Sequence, residues 1–141
     1  MVKPDSQQRG LAGEYYVSFI LTRLGYDIGI TIGRAKIFDI MATGSSGNTI
    51  NIQVKSTYQG YDWLVAHKFD SSKNSVVALV RLGANASKQP ELYFLTGNQA
   101  NQFITHKYAN HSPRISRSDI TNKFQDNDFT LIKKLLETDL K

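Results

Sequence analysis

Asp39, Gln53 and Lys55 are the residue types that can hold a divalent cation and steer a water onto a phosphate. They lie in the segment IFDIMATGSSGNTINIQVKST (residues 37–57), which reads as two strands around a Gly/Ser turn. Side chains alternate faces along a strand, so Ile50, Ile52 and Val54 point one way and Asn51, Gln53 and Lys55 the other. A hairpin folded symmetrically about Ser46 puts Asp39 opposite Gln53, and directly opposed residues share a face. A carboxylate, an amide oxygen and an ammonium then converge on one small area of sheet. Magnesium prefers oxygen ligands at about 2.0–2.1 Å and keeps several of its waters. An ion so held polarises a phosphate and lowers the pKa of bound water, while a neighbouring lysine orients the nucleophile. That is the chemistry of phosphodiester hydrolysis.

The elements that must position these groups are legible in outline. Residues 9–24 read as a helix: Leu11, Tyr15 and Phe19 recur at four-residue spacing, and Val17, Ile20, Leu21 and Leu24 widen the apolar surface. So broad an arc implies a helix laid on a sheet, with Gly13 permitting close approach and Gly25 ending the helix. Glu14 falls at the edge of the arc between Gly13 and Tyr15. A carboxylate there calls for a cation, either a metal or a partner such as Arg9, Arg34 or Lys36. Strands are expected over 26–32, 37–42, 49–57, 63–66, 75–82 and 91–96. Further helices are expected over 98–108 and 129–136, and residues 1–8 read as a flexible polar arm. This order predicts one α+β (α/β) domain spanning residues 1–141, a mixed central sheet flanked by helices, with antiparallel first hairpins.

Taken together, Gly13-Glu14 in a first helix, Gly25-Tyr26, Phe38-Asp39 and Gln53-x-Lys55 resemble the PD-(D/E)xK nuclease superfamily. The likeness is to branches with Q-x-K in place of E-x-K, similar to modified-DNA restriction endonucleases and Holliday-junction-resolvase-like nucleases. It covers roughly residues 10–57, and it implies a restriction-endonuclease-like core and a Mg2+- (or Mn2+-) dependent endonuclease acting on DNA, with RNA not excluded. By that resemblance Asp39 is the central metal-binding acid, Gln53 a second ligand, Lys55 the water-activating lysine and Glu14 a helix-borne acid. The Val54 carbonyl would lie beside the ion. Two departures stand out: Phe38 replaces the proline before Asp39, and no clear helical stripe follows the third strand. A chain of this fold that grips nucleic acid or a protein partner without cutting is the alternative that neutral Gln53 keeps open.

Composition narrows the rest. A formal charge of +5 over 141 residues leans towards polyanionic partners, and Arg34, Lys36, Lys68 and Lys73 are candidate phosphate contacts around the site. With no cysteine, disulfides and thiolate metal sites are excluded. The start MVKPDSQQRG lacks the apolar core of a secretory signal, and no run of roughly 18 apolar residues occurs, so a cytoplasmic protein is expected. Residues 44–48 lack the lysine and the helix of a phosphate-binding loop and read as a turn. His67, His106 and His111 have no metal-ligand spacing. Tyr58, Tyr61 and Trp63 read as core residues before base-stacking ones. A chain this small is expected to reach two strands as a possible homodimer.

Overall fold

The computed structural model describes residues 3–31, 37–105 and 112–137. The first helix, α1 (Ser6–Arg23), starts three residues earlier than its apolar pattern suggests. Asp5 accepts from the Gln8 amide at 2.8 Å and the Gln8 side chain accepts from the Asp5 amide at 3.0 Å. This capping box satisfies two backbone donors that a helix start otherwise leaves open, so residues read as a loose arm are in fact its N-terminal lock. Leu24 caps the other end, and Gly25 follows at φ +94°, a conformation that favours glycine.

After α1 come β1 (Asp27–Ile30), β2 (Ile40–Thr43) and β3 (Thr49–Tyr58), then β4 (Trp63–Leu64), β5 (Ser75–Leu82) and β6 (Glu91–Thr96). The main sheet has the order β1-β2-β3-β5-β6, antiparallel except between β3 and β5. It is a mixed central sheet flanked by helices, as expected, and the first hairpins are antiparallel. The β2–β3 turn is closed by Gly44 and Asn48, whose backbones bond at 2.9 Å, with Gly47 at φ +90°. Residues 44–48 are thus a turn.

Alternation divides the sheet into two faces. One carries Ile40, Ala42, Ile50, Ile52, Val76, Ala78 and Val80, which pack against Val17 and Leu21 of α1 and Ile132 and Leu136 of α4 (Thr130–Glu137). The opposite face carries Val77, Leu79, Tyr93 and Leu95, covered by Trp63, Val65, Phe69, Ala100, Ile115 and Ile120. That second layer contains α2 (Gly97–Gln102), β7 (Ile104–Thr105), β8 (Arg114–Ile115) and α3 (Arg117–Thr121), with β4, β8 and β7 forming a small sheet.

Two expectations need correction, and the absence of a helical stripe after the third strand is borne out among the described residues. On α1 the residues Leu11, Tyr15 and Phe19 face outward, at 44%, 59% and 56% exposure, while Gly13, Val17 and Leu21 are buried. The helix carries two apolar stripes, and the one bearing glycine and valine is the one that fits close to the strands. The helix expected over 98–108 is only α2, capped by Thr96 through a second capping box with Gln99, and it gives way to β7. The parallel crossover from β3 to β5 holds β4 and, among the described residues, no helix; buried Trp63, Val65 and Phe69 fill the space instead. No helix among the described residues is long and apolar enough to cross a membrane.

Candidate functional site

The register answers where the three central side chains stand. Ile40 pairs with Ile52, Met41 with Asn51 and Ala42 with Ile50, the symmetric fold about Ser46. Asp39 lies one residue before β2, not within it, and its amide donates to the Ile52 carbonyl at 2.9 Å. Its carboxylate accepts from the Val54 amide at 2.7 Å. Here the β2 backbone stops serving β3, and the Asp39 side chain takes over the next donor along the β3 edge. Asp39 is 9% exposed, held at the notch where the two strands part.

Two residues of β3 flank that notch from the sheet face opposite α1. Gln53 pairs with Val77 and Lys55 with Leu79, and both are half-buried. Val77 and Leu79 are sealed beneath the second layer, whereas Met41 beyond the notch is exposed. The second layer therefore covers the β5–β6 half of this face and leaves the β2–β3 half open. Gln53 and Lys55 stand at that boundary, between an apolar wall and solvent. A side chain held on one side and wet on the other is both placed and reachable.

Alternation of peptide groups places Val54 as well. Asn51 and Gln59 direct their amides towards the β5 side, to Asn74 and Leu82. Val54 is therefore turned to the β2 side, its amide on Asp39 and its carbonyl along the same edge.

Glu14 sits on α1, on the sheet face opposite Gln53 and Lys55. A Cβ built on Gly13 would overlap the Ser56 hydroxyl and lie 3.5 Å from Val54 Cγ1, so this turn of α1 sits directly on β3 at the level of the notch. On one flank of the helix Tyr16 donates to the Asn127 side chain at 3.0 Å, and Asn127 bonds the Leu92 carbonyl of β6. Glu14 follows Gly13 on the same turn and is half-buried.

The oxygen donors at the notch are thus the Asp39 carboxylate, the Gln53 amide and the Val54 carbonyl, while Glu14 lies on α1, on the other side of the sheet from Gln53. Among the described residues no three His, Cys, Asp or Glu come together. An ion bound here would depend on amide and carbonyl oxygens and on retained water. That donor set fits a hard cation such as Mg2+ and does not fit a tightly caged soft metal.

The peripheral cations divide. Lys68 and Lys73 are exposed on the crossover before β5, and His67 is exposed beside them. Arg34, Lys36, His106 and His111 lie outside the described residues. Of the aromatic residues following Lys55, Trp63 is fully buried, Tyr58 is half-buried and Tyr61 is exposed, so the core expectation holds for Trp63 alone. Sequence reasoning missed the cations gathered at Tyr58: the Lys3 ammonium is 5.2 Å and the Arg9 guanidinium 5.3 Å from its ring centre.

The architecture is thus helices on one face of a mixed five-stranded sheet, with the Asp39 carboxylate lodged where β2 leaves β3. Among solved structures the chain is similar to a bacterial homing endonuclease, I-Ssp6803I, with a TM-score of 0.56 and 12% identity, over 92% of this chain and 93% of that one. At that identity the likeness is one of fold. No family model matches the chain, and no curated protein sequence does.

Proposed function

We propose that this protein is a divalent-metal-dependent endonuclease of the PD-(D/E)xK type, hydrolysing phosphodiester bonds in DNA. The observation that supports it most is the Asp39 carboxylate fixed on the Val54 amide, at the strand divergence where Gln53 and Lys55 share the open face. The resemblance of the motif residues to the superfamily and the fold shared with a homing endonuclease point the same way.

In this reading Asp39, Gln53 and the Val54 carbonyl hold Mg2+ or Mn2+. The metal, when bound, supplies a polarised phosphate and a more acidic water. Lys55 orients that water and offsets the charge that builds on the phosphate oxygens. Asp39 needs no rearrangement to act, because its bond to Val54 sets the carboxylate before substrate arrives. Lys68 and Lys73, with Arg34 and Lys36, contact the DNA backbone. Cutting both strands of a duplex takes two such sites, so the reading includes a homodimer.

A second reading is favoured by one feature. Gln53 is neutral and no third carboxylate joins the cluster among the described residues, which suits a nuclease-fold module that binds nucleic acid or a protein without cutting. Cleavage assays with Mg2+ and Mn2+ on duplex, flap and junction DNA separate the two. The enzyme reading predicts nicking that Lys55→Ala abolishes while DNA binding survives. Salt-dependent DNA binding with equal, metal-independent background cleavage by wild type and Lys55→Ala establishes the binding module instead.

A further inference from the structure

A second cleft lies beyond the notch, at the carboxyl ends of the parallel strands β3 and β5. Its volume is about 1030 Å³, and Tyr58, Leu82 and the turn after β5 form one wall. Tyr16 of α1 and Pro90 complete an apolar lining, and Lys3 and Lys88 stand at the rim. No acidic residue lines it among the described residues. In open sheets the carboxyl ends of parallel strands are where ligands settle, because chain directions diverge there and leave a crevice.

The cleft's chemistry is specific. Aromatic rings offer flat apolar surface for a planar ligand, and cations drawn to the same rings offer charge for an anion. Lys3 lies 5.2 Å from the Tyr58 ring and 5.7 Å from that of Tyr61, and Arg9 lies 5.3 Å from Tyr58. Lys3 and Arg9 rest on aromatic faces, a contact that an incoming phosphate can outcompete by a charge-assisted hydrogen bond. The Gln59 amide can donate and accept at a heterocycle's edge, and the Asn85 amide nitrogen can donate, its oxygen being engaged by Ser87.

We infer that this cleft binds a single nucleotide, its base against Tyr58 and Tyr16 and its phosphate at Lys3 and Lys88. The ligand is either a free nucleotide or one unpaired nucleotide of a bound strand. Tyr58 stands four residues beyond Val54 on β3, about 13 Å at the rise of a strand, so the cleft is separate from the metal site. Only the strand-bound form rests on the nuclease reading.

The test is calorimetric titration of the 141-residue chain, without divalent metal, with deoxyadenosine monophosphate, with short single-stranded oligonucleotides and with inorganic phosphate. Binding should weaken roughly tenfold or more with Tyr58→Leu and with Lys88→Glu, and should be unchanged by Asp39→Ala. Binding of the mononucleotide identifies a free ligand; binding of oligonucleotides alone identifies an unpaired nucleotide. Circular dichroism checks that each variant is folded, and amide shifts of wild type at residues 82–88 give a readout that needs no variant. Phosphate binding as strong as nucleotide binding, indifference to Tyr58→Leu, or no binding in any arm overturns the proposal. Cleavage that Asp39→Ala abolishes, with no nucleotide bound by wild type, is failure of this proposal alone; nucleotide binding by a wild type that shows no metal-dependent cleavage is failure of the nuclease reading alone.

Discussion

The carboxylate of Asp39 accepts the Val54 amide proton at 2.7 Å, across the point where β2 and β3 separate. One side chain thereby finishes the sheet edge and places an acid at the notch. These two roles are separable by substitution. Asp39→Asn keeps an oxygen acceptor for Val54 and removes the charge, so unfolding free energy should fall by less than about 1 kcal/mol while metal-dependent cleavage is lost. Asp39→Ala leaves the amide without its partner and should cost about 1–3 kcal/mol in addition. Denaturant unfolding of both variants beside cleavage assays checks this.

In the proposed site Gln53 is the neutral ligand. Gln53→Glu adds a second carboxylate on the open face next to Asp39 and should tighten Mg2+ binding roughly tenfold, about 1.4 kcal/mol. Lys55→Ala should lower the cleavage rate by roughly 10²–10⁴ and leave metal affinity the same or higher, since a nearby positive charge has gone. Calorimetry with Mg2+ and single-turnover kinetics read the two effects separately.

Two glycines should respond in opposite directions to alanine. Nothing lies within 4 Å of a Cβ placed on Gly10, so Gly10→Ala should stabilise α1 by about 0.5–1 kcal/mol. A Cβ on Gly97 would overlap the backbone carbonyl of Asp70, which cannot swing away as a side chain would. Gly97→Ala should destabilise by about 1–3 kcal/mol or more, and thermal unfolding distinguishes the pair.

Alkaline pH should weaken the fold through two tyrosines. Burial, then the hydrogen bond to Glu137 at 2.7 Å, pushes the Tyr26 phenol well above its usual value of 10.0. Burial, then Glu91 at 2.6 Å, does the same for Tyr93. A raised folded-state pKa gives stability that is complete below the unfolded value and lost as pH climbs towards the folded one. Stability should therefore decline above about pH 10, and Tyr26→Phe should flatten that decline. Unfolding curves from pH 8 to about 11 measure it.

Much of the site was legible because a hairpin's register follows from its turn. Once Gly44 and Gly47 mark the reversal, Asp39 must fall near Gln53, and period-two alternation puts Gln53 and Lys55 together. The helix was harder. Leu11, Tyr15 and Phe19 repeat as cleanly as Gly13, Val17 and Leu21, and only the strands beneath decide which stripe is buried. Asp5 with Gln8 and Thr96 with Gln99 are capping signals present in the sequence, and weighing them fixes both helix starts. In the crossover the alternation of buried Trp63 and Val65 with exposed Leu64 and Ala66 marked the short strand, whereas Phe69, buried in the same layer, follows no period.

The central claim is that one divalent ion sits among Asp39, Gln53 and Val54, and titration with paramagnetic Mn2+ monitored by amide NMR tests it most directly. Signal loss centred on the amides of residues 39–40 and 53–55, abolished in Asp39→Asn, is the predicted result. Broadening centred elsewhere, or the same broadening in Asp39→Asn, would contradict it.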